Sequence, residues 1–168
     1  MAARKRPHRE RRDYEREWNG LWVDKNLKDD WLIRLNSLKC LRPISICEGH
    51  FGHKVGSSRT FPHVKLRMQE QFLAGIAGRW DQLKPVISNE LPRLFNSSDT
   101  YVELELMFRF RWGRGRFPYR ENLTLRIHAR QARTSEAMDV PTHQWFEQTV
   151  SLVEDLDETI GSQLCPTD

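Results

Sequence analysis

The chain has 168 residues, of which 27 are Lys or Arg and 23 are Asp or Glu, so its formal net charge is +4. This length favours a single domain, and no apolar run approaches the roughly 20 residues that a membrane helix needs. The N-terminus MAARKRPHRE lacks the apolar stretch of a signal peptide, and the three cysteines form no CxxC pair. We therefore expect a cytoplasmic protein with no membrane segment and no disulfide framework.

The first residues differ from the rest of the chain in composition. Residues 1–12 are strongly basic and have no apolar periodicity. We predict a flexible basic arm over 1–12 and a single α+β domain over 13–168.

Two short helices are predicted at the start of this domain. The first is indicated by apolar residues spaced i, i+4, i+7 and i+8, namely Tyr14, Trp18, Leu21 and Trp22. The second is indicated by the apolar residues Trp31, Leu32, Leu35 and Leu38.

Two strands joined by a Gly-rich loop follow these helices. The first strand covers 44–47, the loop covers 48–62, and the second strand begins at His63 and ends near residue 69. Alternation puts Ser45 and Cys47 on the polar side of the first strand, and His63, Lys65 and Arg67 on that of the second. A helix over about 70–83 comes next, and Pro85 is expected to end or kink it.

Alternation of apolar and polar residues is clearest in the last third of the chain. It predicts a strand over 101–112 and a further strand with Leu123, Leu125, Ile127 and Ala129 on one face. A final helix over about 142–163 has an acidic outer face that includes Glu147, Glu154 and Asp157. The order α-α-β-β-α-β-β-α predicts an α+β fold, with a mostly antiparallel four-stranded sheet and helices packed on one face.

A basic surface is predicted from the last two strands and the turn between them. Residues 109–133 contain eight arginines and one acidic residue, Glu121, a local charge of +7. The candidate anion-binding residues are Lys65, Arg67, Arg109, Arg111, Arg114, Arg116, Arg126, His128 and Arg130. Arg presents a rigid fork of donors that suits phosphate, and aromatic residues nearby could stack on bases. Two alternatives are a solvated face balanced by Glu103 and Glu105, and a surface that binds an acidic protein.

A cluster of Cys and His residues flanks and occupies the Gly-rich loop. It consists of Cys47, Glu48, His50, His53 and His63. Cys47 and the three histidines could supply four ligands to Zn²⁺ or another transition metal, with Glu48 as the base for a bound water. Alternatively, Cys47 could be a reactive thiolate whose pKa is lowered by a nearby histidine, such as His63, or by the basic face. A third interpretation is a buried cysteine beside a loop whose histidines cap backbone groups.

Part of this region resembles a known family. Residues 31–36, Trp-Leu-Ile-Arg-Leu-Asn, and residues 44–50, Ile-Ser-Ile-Cys-Glu-Gly-His, resemble the helix-then-strand signature of the wybutosine-synthesis tRNA methyltransferase family. They are also similar to uncharacterised bacterial proteins with a Ser-Cys-Glu-Gly-His motif. The resemblance is confined to residues 31–50, and it implies an α+β fold, a site at 47–50 and, more distantly, an RNA substrate.

These features lead to three functional hypotheses. The first is a nucleic-acid-binding or polyanion-binding protein that uses the arginine-rich sheet face, with the Cys/His site beside it. The second is a small Cys/His enzyme, metal-dependent or not, that acts on a phosphorylated or carboxylated small molecule. The third is a non-catalytic assembly subunit that docks protein partners.

Overall fold

The computed structural model describes residues 15–49, 61–73, 76–94, 100–110, 119–129 and 140–164. The predicted basic arm over 1–12 lies outside them. The described strands are β1 (Glu15–Trp18), β2 (Leu21–Asp24), β3 (Leu41–Cys47), β4 (His63–Met68), β5 (Thr100–Phe110) and β6 (Tyr119–Ala129). The described helices are α1 (Asp29–Asn36), α2 (Glu70–Leu73), α3 (Ile76–Leu94) and α4 (Val140–Leu164).

The predicted α+β fold is confirmed. Within the described ranges, β3, β4, β6 and β5 form a four-stranded sheet in that order, and every neighbouring pair is antiparallel. β3 contains a bulge between Pro43 and Ser45, which leaves Ile44 without a paired residue. No described helix combines the length and apolar character needed to cross a bilayer.

The first predicted helix is wrong, because this segment forms the separate β1–β2 hairpin. Asn19 and Gly20 connect the strands with φ angles of 45° and 76°. Positive φ at both central residues defines the type I′ turn, for which Asn-Gly is a preferred sequence. The local turn chemistry therefore outweighs an apolar spacing that also matches a helix face.

One face of the sheet is apolar and is covered by helices, as predicted. Val64, Leu66 and Ile127 are fully buried and belong to one cluster with the buried residues of α1, α3 and α4. A small cavity at this contact is lined by Leu41, Leu104, Leu123 and Leu125 of the sheet, Ile87 of α3, and Leu156 and Ile160 of α4.

The helix predicted over about 70–83 corresponds to α2 and α3, and α3 extends beyond the predicted end. α3 continues through Pro85 to Leu94, although Pro inside a helix costs about 3 kcal/mol. Leu83 and Ile87, on either side of Pro85, are 2% and 1% exposed. We attribute the continuation to their burial, a tertiary effect that local sequence does not report.

Several acidic residues of α4 bind the chain around α1 instead of forming a solvated outer face. The buried Asp157 accepts hydrogen bonds from the backbone N–H groups of Lys39 (2.7 Å), Cys40 (2.9 Å) and Leu41 (2.7 Å). Asp157 therefore fixes the connection between α1 and β3.

A second contact between α1 and α4 is ionic. Arg34 donates to Glu147 at 2.8 Å and to both carboxylate oxygens of Glu154 at 3.0 and 2.6 Å. Trp31 Nε1 also donates to Glu147, and these two donors hold the pKa of Glu147 below its ordinary value. Glu147, Glu154 and Asp157 thus form hydrogen bonds with other parts of the same chain.

Candidate functional site

The face of the sheet opposite the helices is polar, and its residues align in three cross-strand rows. Each row has one residue from β3, β4, β6 and β5, in that order. The aromatic row is Cys47, His63, His128 and Tyr101. The cationic row is Ser45, Lys65, Arg126 and Glu103. The third row is Arg42, Arg67, Thr124 and Glu105. We call these twelve residues the polar face.

Basic and acidic side chains are separated across this polar face. Its basic residues on β3, β4 and β6 are Arg42, Lys65, Arg67 and Arg126, and its acidic residues on the edge strand β5 are Glu103 and Glu105. The part formed by β3, β4 and β6 therefore has a net positive charge. The electric field of this positive region attracts anions, and the attraction weakens as the salt concentration rises.

Arg126 is the exposed centre of the positive region. Its Nη1 lies 3.3 Å from Glu103 Oε2, and the two side chains are 46% and 45% exposed. An ion pair this accessible to water is worth about 0.2–1 kcal/mol. Arg126 could therefore exchange this carboxylate for an incoming phosphate at little cost.

His63 has a hydrogen-bond partner at each ring nitrogen. Its Nδ1 lies 3.1 Å from the carbonyl oxygen of Phe61, and its Nε2 lies 3.0 Å from Ser45 Oγ. Because a carbonyl only accepts, Nδ1 donates to Phe61 and Nε2 of the neutral ring accepts the Ser45 hydroxyl proton. Burial lowers the pKa of His63, which favours this neutral form.

Cys47 lies directly opposite His63, as the hairpin prediction requires, but its surroundings do not favour a thiolate. Burial raises the pKa of the Cys47 thiol, and the charge of Asp24 raises it further. The thiol also hydrogen-bonds the Asp24 carboxylate, while Sγ accepts the Gly49 N–H at 3.4 Å. These contacts favour the protonated thiol, whereas an activated nucleophile needs a lowered pKa, and the interpretation of Cys47 as a nucleophile stays a prediction.

Glu48, the predicted base, lies inside the protein rather than on the polar face. Its side chain is 2% exposed, and Oε1 accepts a hydrogen bond of 3.1 Å from Asn26 Nδ2. Its backbone N–H donates to Asp24 Oδ2 at 2.6 Å. Glu48 therefore joins the end of β3 to the β1–β2 hairpin.

The remaining predicted site residues are only partly described. Lys65, Arg67, Arg126 and His128 lie together on the polar face. The backbone of Arg109 pairs with that of Arg120 in the β5–β6 ladder, and its side chain lies outside the described part. Arg111, Arg114, Arg116 and Arg130 lie outside the described residues. The part of the predicted basic surface that depends on Arg109, Arg111 and Arg130 therefore stays a prediction.

The predicted metal site is not assembled by the described residues. Among them, no three His, Cys, Asp or Glu side chains are placed to hold one ion. His50 and His53 lie outside the described residues, and the His63 ring is occupied by Phe61 and Ser45.

Sequence reasoning missed several residues around the polar face. Arg42 and Tyr101 contribute an exposed cation and an exposed aromatic ring. The alternation in β5 already indicated that Tyr101 lies on the same face as Glu103 and Glu105. Asp24 follows the segment that apolar spacing predicts as a helix, and the Asn19-Gly20 dipeptide is the sequence signal for the hairpin that positions it.

Comparison with known proteins adds no assignment, since no family model, curated protein or solved structure matches this chain. The resemblance of residues 31–50 to the tRNA methyltransferase family stays a prediction.

Proposed function

We propose that the protein binds nucleic acid across the polar face of its sheet. The observation that carries the proposal is the direct pairing of Lys65 with Arg126 at the centre of this face, with Arg67 one row away. Arg126 is exposed, and Lys65 and Arg67 are partly exposed. Basic side chains clustered on one face form the electrostatic footprint expected of nucleic-acid binding.

The competing enzymatic hypothesis has less support. A small Cys/His enzyme would need a thiolate or a free imidazole at Cys47 and His63. The thiol has a raised pKa, and both nitrogens of the His63 ring are engaged in hydrogen bonds. The polar face remains the region where the described side chains favour an external ligand.

The test compares two variants that remove the same charge from different surfaces. The face variant carries Lys65→Gln and Arg126→Gln. The helix variant carries Lys84→Gln and Arg93→Gln, two exposed positions on α3, which packs against the other side of the sheet. Fluorescence anisotropy with labelled RNA and DNA oligonucleotides measures the affinity at several salt concentrations, and circular dichroism checks folding.

We expect the wild-type protein to bind at low salt, with an affinity that falls steeply between about 50 and 200 mM salt. The face variant should bind about tenfold more weakly or worse. The slope of the logarithm of its affinity against the logarithm of the salt concentration should be smaller by roughly 0.7–0.9 for each lost phosphate contact. The helix variant should bind like the wild type.

Two results would overturn the proposal. One is no binding by the wild-type protein at low salt. The other is an equal loss in both variants, which would assign the affinity to net charge alone. Tighter binding to polyglutamate than to oligonucleotides would instead assign the face to an acidic protein partner.

A further inference from the structure

We infer that the ligand of the polar face is a single strand whose unpaired bases stack on the aromatic row, while its phosphates contact the cationic row. This inference rests on the proposed function and specifies the class of nucleic acid.

The rings of the aromatic row come from three adjacent strands. His63 pairs with His128, and His128 pairs with Tyr101. The ring centroids of Tyr101 and His128 are 4.7 Å apart, in an edge-to-face arrangement. Neighbouring strands are about 4.8 Å apart, so His63 lies one strand beyond the His128–Tyr101 ring pair.

Aromatic side chains are also exposed at this end of the sheet. Tyr101 is 44% exposed and Phe61 is 38% exposed. They are two of only four large apolar side chains that are exposed within the described residues. The Pro62 carbonyl accepts the Ala129 N–H at 2.9 Å, which holds the segment after Phe61 beside the end of β6. Exposed rings of this kind are the surfaces on which unpaired bases stack.

The aromatic and cationic rows lie at adjacent levels of the same strands. Successive rows are two residues apart, which corresponds to roughly 7 Å along a strand. A nucleic-acid chain that crosses the strands could therefore place its bases over Tyr101 and His128 and its phosphates near Lys65 and Arg126. Burial lowers the pKa of His128, which favours the uncharged ring beside Tyr101 at neutral pH.

The width of the sheet disfavours a duplex. Four strands span about 14 Å between the outermost backbones, before side chains are added. The major groove of B-DNA, about 12 Å wide, admits a helix or a two-stranded ribbon, and that of A-form RNA is narrower. A duplex would therefore contact this face only through its phosphates and leave the aromatic row unused.

The test separates base stacking from phosphate attraction with three labelled probes of equal length. These are an oligouridine 12-mer, an abasic 12-mer with the same phosphates, and a blunt 12-base-pair duplex. Tyr101→Ala removes the exposed ring, and Tyr101→Phe retains it. Ile33→Ala, at a side chain of α1 that is 60% exposed, is the matched control away from the sheet.

We expect the wild-type protein to bind the single strand about tenfold more tightly than the abasic probe. Tyr101→Ala should weaken binding of the single strand by roughly fivefold to a hundredfold, the range found when a stacking residue is replaced by alanine. It should leave the affinity for the abasic probe unchanged. Tyr101→Phe and Ile33→Ala should resemble the wild type.

The outcomes distinguish this inference from the proposed function. Equal binding of all probes, with no effect of Tyr101→Ala, would overturn the stacking inference while the face variant still loses affinity. Tighter binding to the duplex would also overturn it. If no probe binds the wild-type protein, both proposals fail together.

Discussion

Cys47 lies directly opposite His63 in the β3–β4 ladder, and both side chains favour their uncharged forms. Burial is the main cause for each residue, because it disfavours the thiolate and the imidazolium alike. Proximity along a ladder is thus insufficient for an activated Cys–His pair, which also needs a charged partner or solvent to stabilise the ions.

The first prediction concerns the reactivity of Cys47. We expect iodoacetamide to modify Cys47 at pH 7–8 more slowly than it modifies a free cysteine in a short peptide, because a raised pKa leaves less thiolate. Peptide mapping by mass spectrometry after timed labelling gives the rate for each cysteine, and labelling in denaturant provides the accessible control. Rapid modification of Cys47 in the folded protein at pH 7 would contradict the predicted environment.

The second prediction concerns Asp157. Asp157→Ala leaves the N–H groups of Lys39, Cys40 and Leu41 without their acceptor, in a region that is largely buried. We expect the free energy of unfolding to fall by about 3 kcal/mol or more, since each hydrogen bond to a charged group contributes about 1.5–3 kcal/mol. Urea denaturation measures the change.

The control for this variant lies on the same helix. Asp155 is exposed, so Asp155→Ala should change the free energy of unfolding by less than about 0.5 kcal/mol. Equal effects of the two substitutions would mean that Asp157 acts only through the charge or helix propensity of α4.

The third prediction concerns Arg34. Arg34→Met retains the aliphatic part of the side chain but removes its hydrogen bonds to Glu147, Glu154 and Ser151. We expect a loss of about 1–3 kcal/mol, because Arg34 is only 24% exposed and its partners come from another helix.

The matched control for Arg34 is an exposed ion pair within one helix. Arg93, 71% exposed, pairs with Glu90 on α3, and Arg93→Met should cost about 0.5 kcal/mol or less. Thermal denaturation of both variants checks the difference, and a stability of Arg34→Met close to that of the wild type would be inconsistent with a bridging role.

The fourth prediction contrasts two glycines. Gly20 has a φ of +76° in the β1–β2 turn, so Gly20→Ala should destabilise the protein by about 1 kcal/mol. Gly78 lies in α3, with open space where a Cβ would project, so Gly78→Ala should stabilise it by roughly 0.5–1 kcal/mol. Opposite shifts of the denaturation midpoint are expected, and shifts of the same sign would contradict the assigned backbone conformations.

The fifth prediction concerns the pH dependence of stability. Burial lowers the pKa of His63 and His128 below the ordinary value of 6.5, although Asp24 and Glu103 partly oppose this effect and Arg126 adds to it. Below about pH 6.5 the unfolded chain therefore binds more protons at these sites than the folded protein does. The free energy of unfolding should fall as the pH drops through this range, until the folded histidines are also protonated.

Replacement of both histidines isolates their contribution to this pH dependence. In His63→Gln with His128→Gln, the dependence of stability on pH between about 5 and 7 should be smaller than in the wild-type protein. Urea denaturation at a series of pH values measures both slopes, and identical slopes would show that the two histidines do not contribute.

Regular alternation was sufficient to predict the central sheet. β4 and β6 each place apolar residues on one face and polar residues on the other, so Val64, Leu66, Leu125 and Ile127 could be assigned to the core from their spacing alone. The same parity predicted that Lys65 and Arg126 lie on the opposite face. Successive side chains of a strand point to opposite faces. Once the apolar residues are assigned to the buried face, the residues between them must lie on the other face.

Tertiary structure decided what local patterns left ambiguous. Apolar residues around Trp18 fit a helix as well as a hairpin; the Asn19-Gly20 dipeptide is a local signal for the hairpin, and the burial of Val23 in the core agrees with it. The role of Asp157 depends on backbone groups more than 110 positions away, as the Asp157–Leu41 separation of 116 shows. The sequence by itself determined the class of fold and the face of the sheet on which Lys65 and Arg126 lie. Only the packed chain determined the ionisation of Cys47 and His63, because desolvation and nearby charge are properties of the folded neighbourhood.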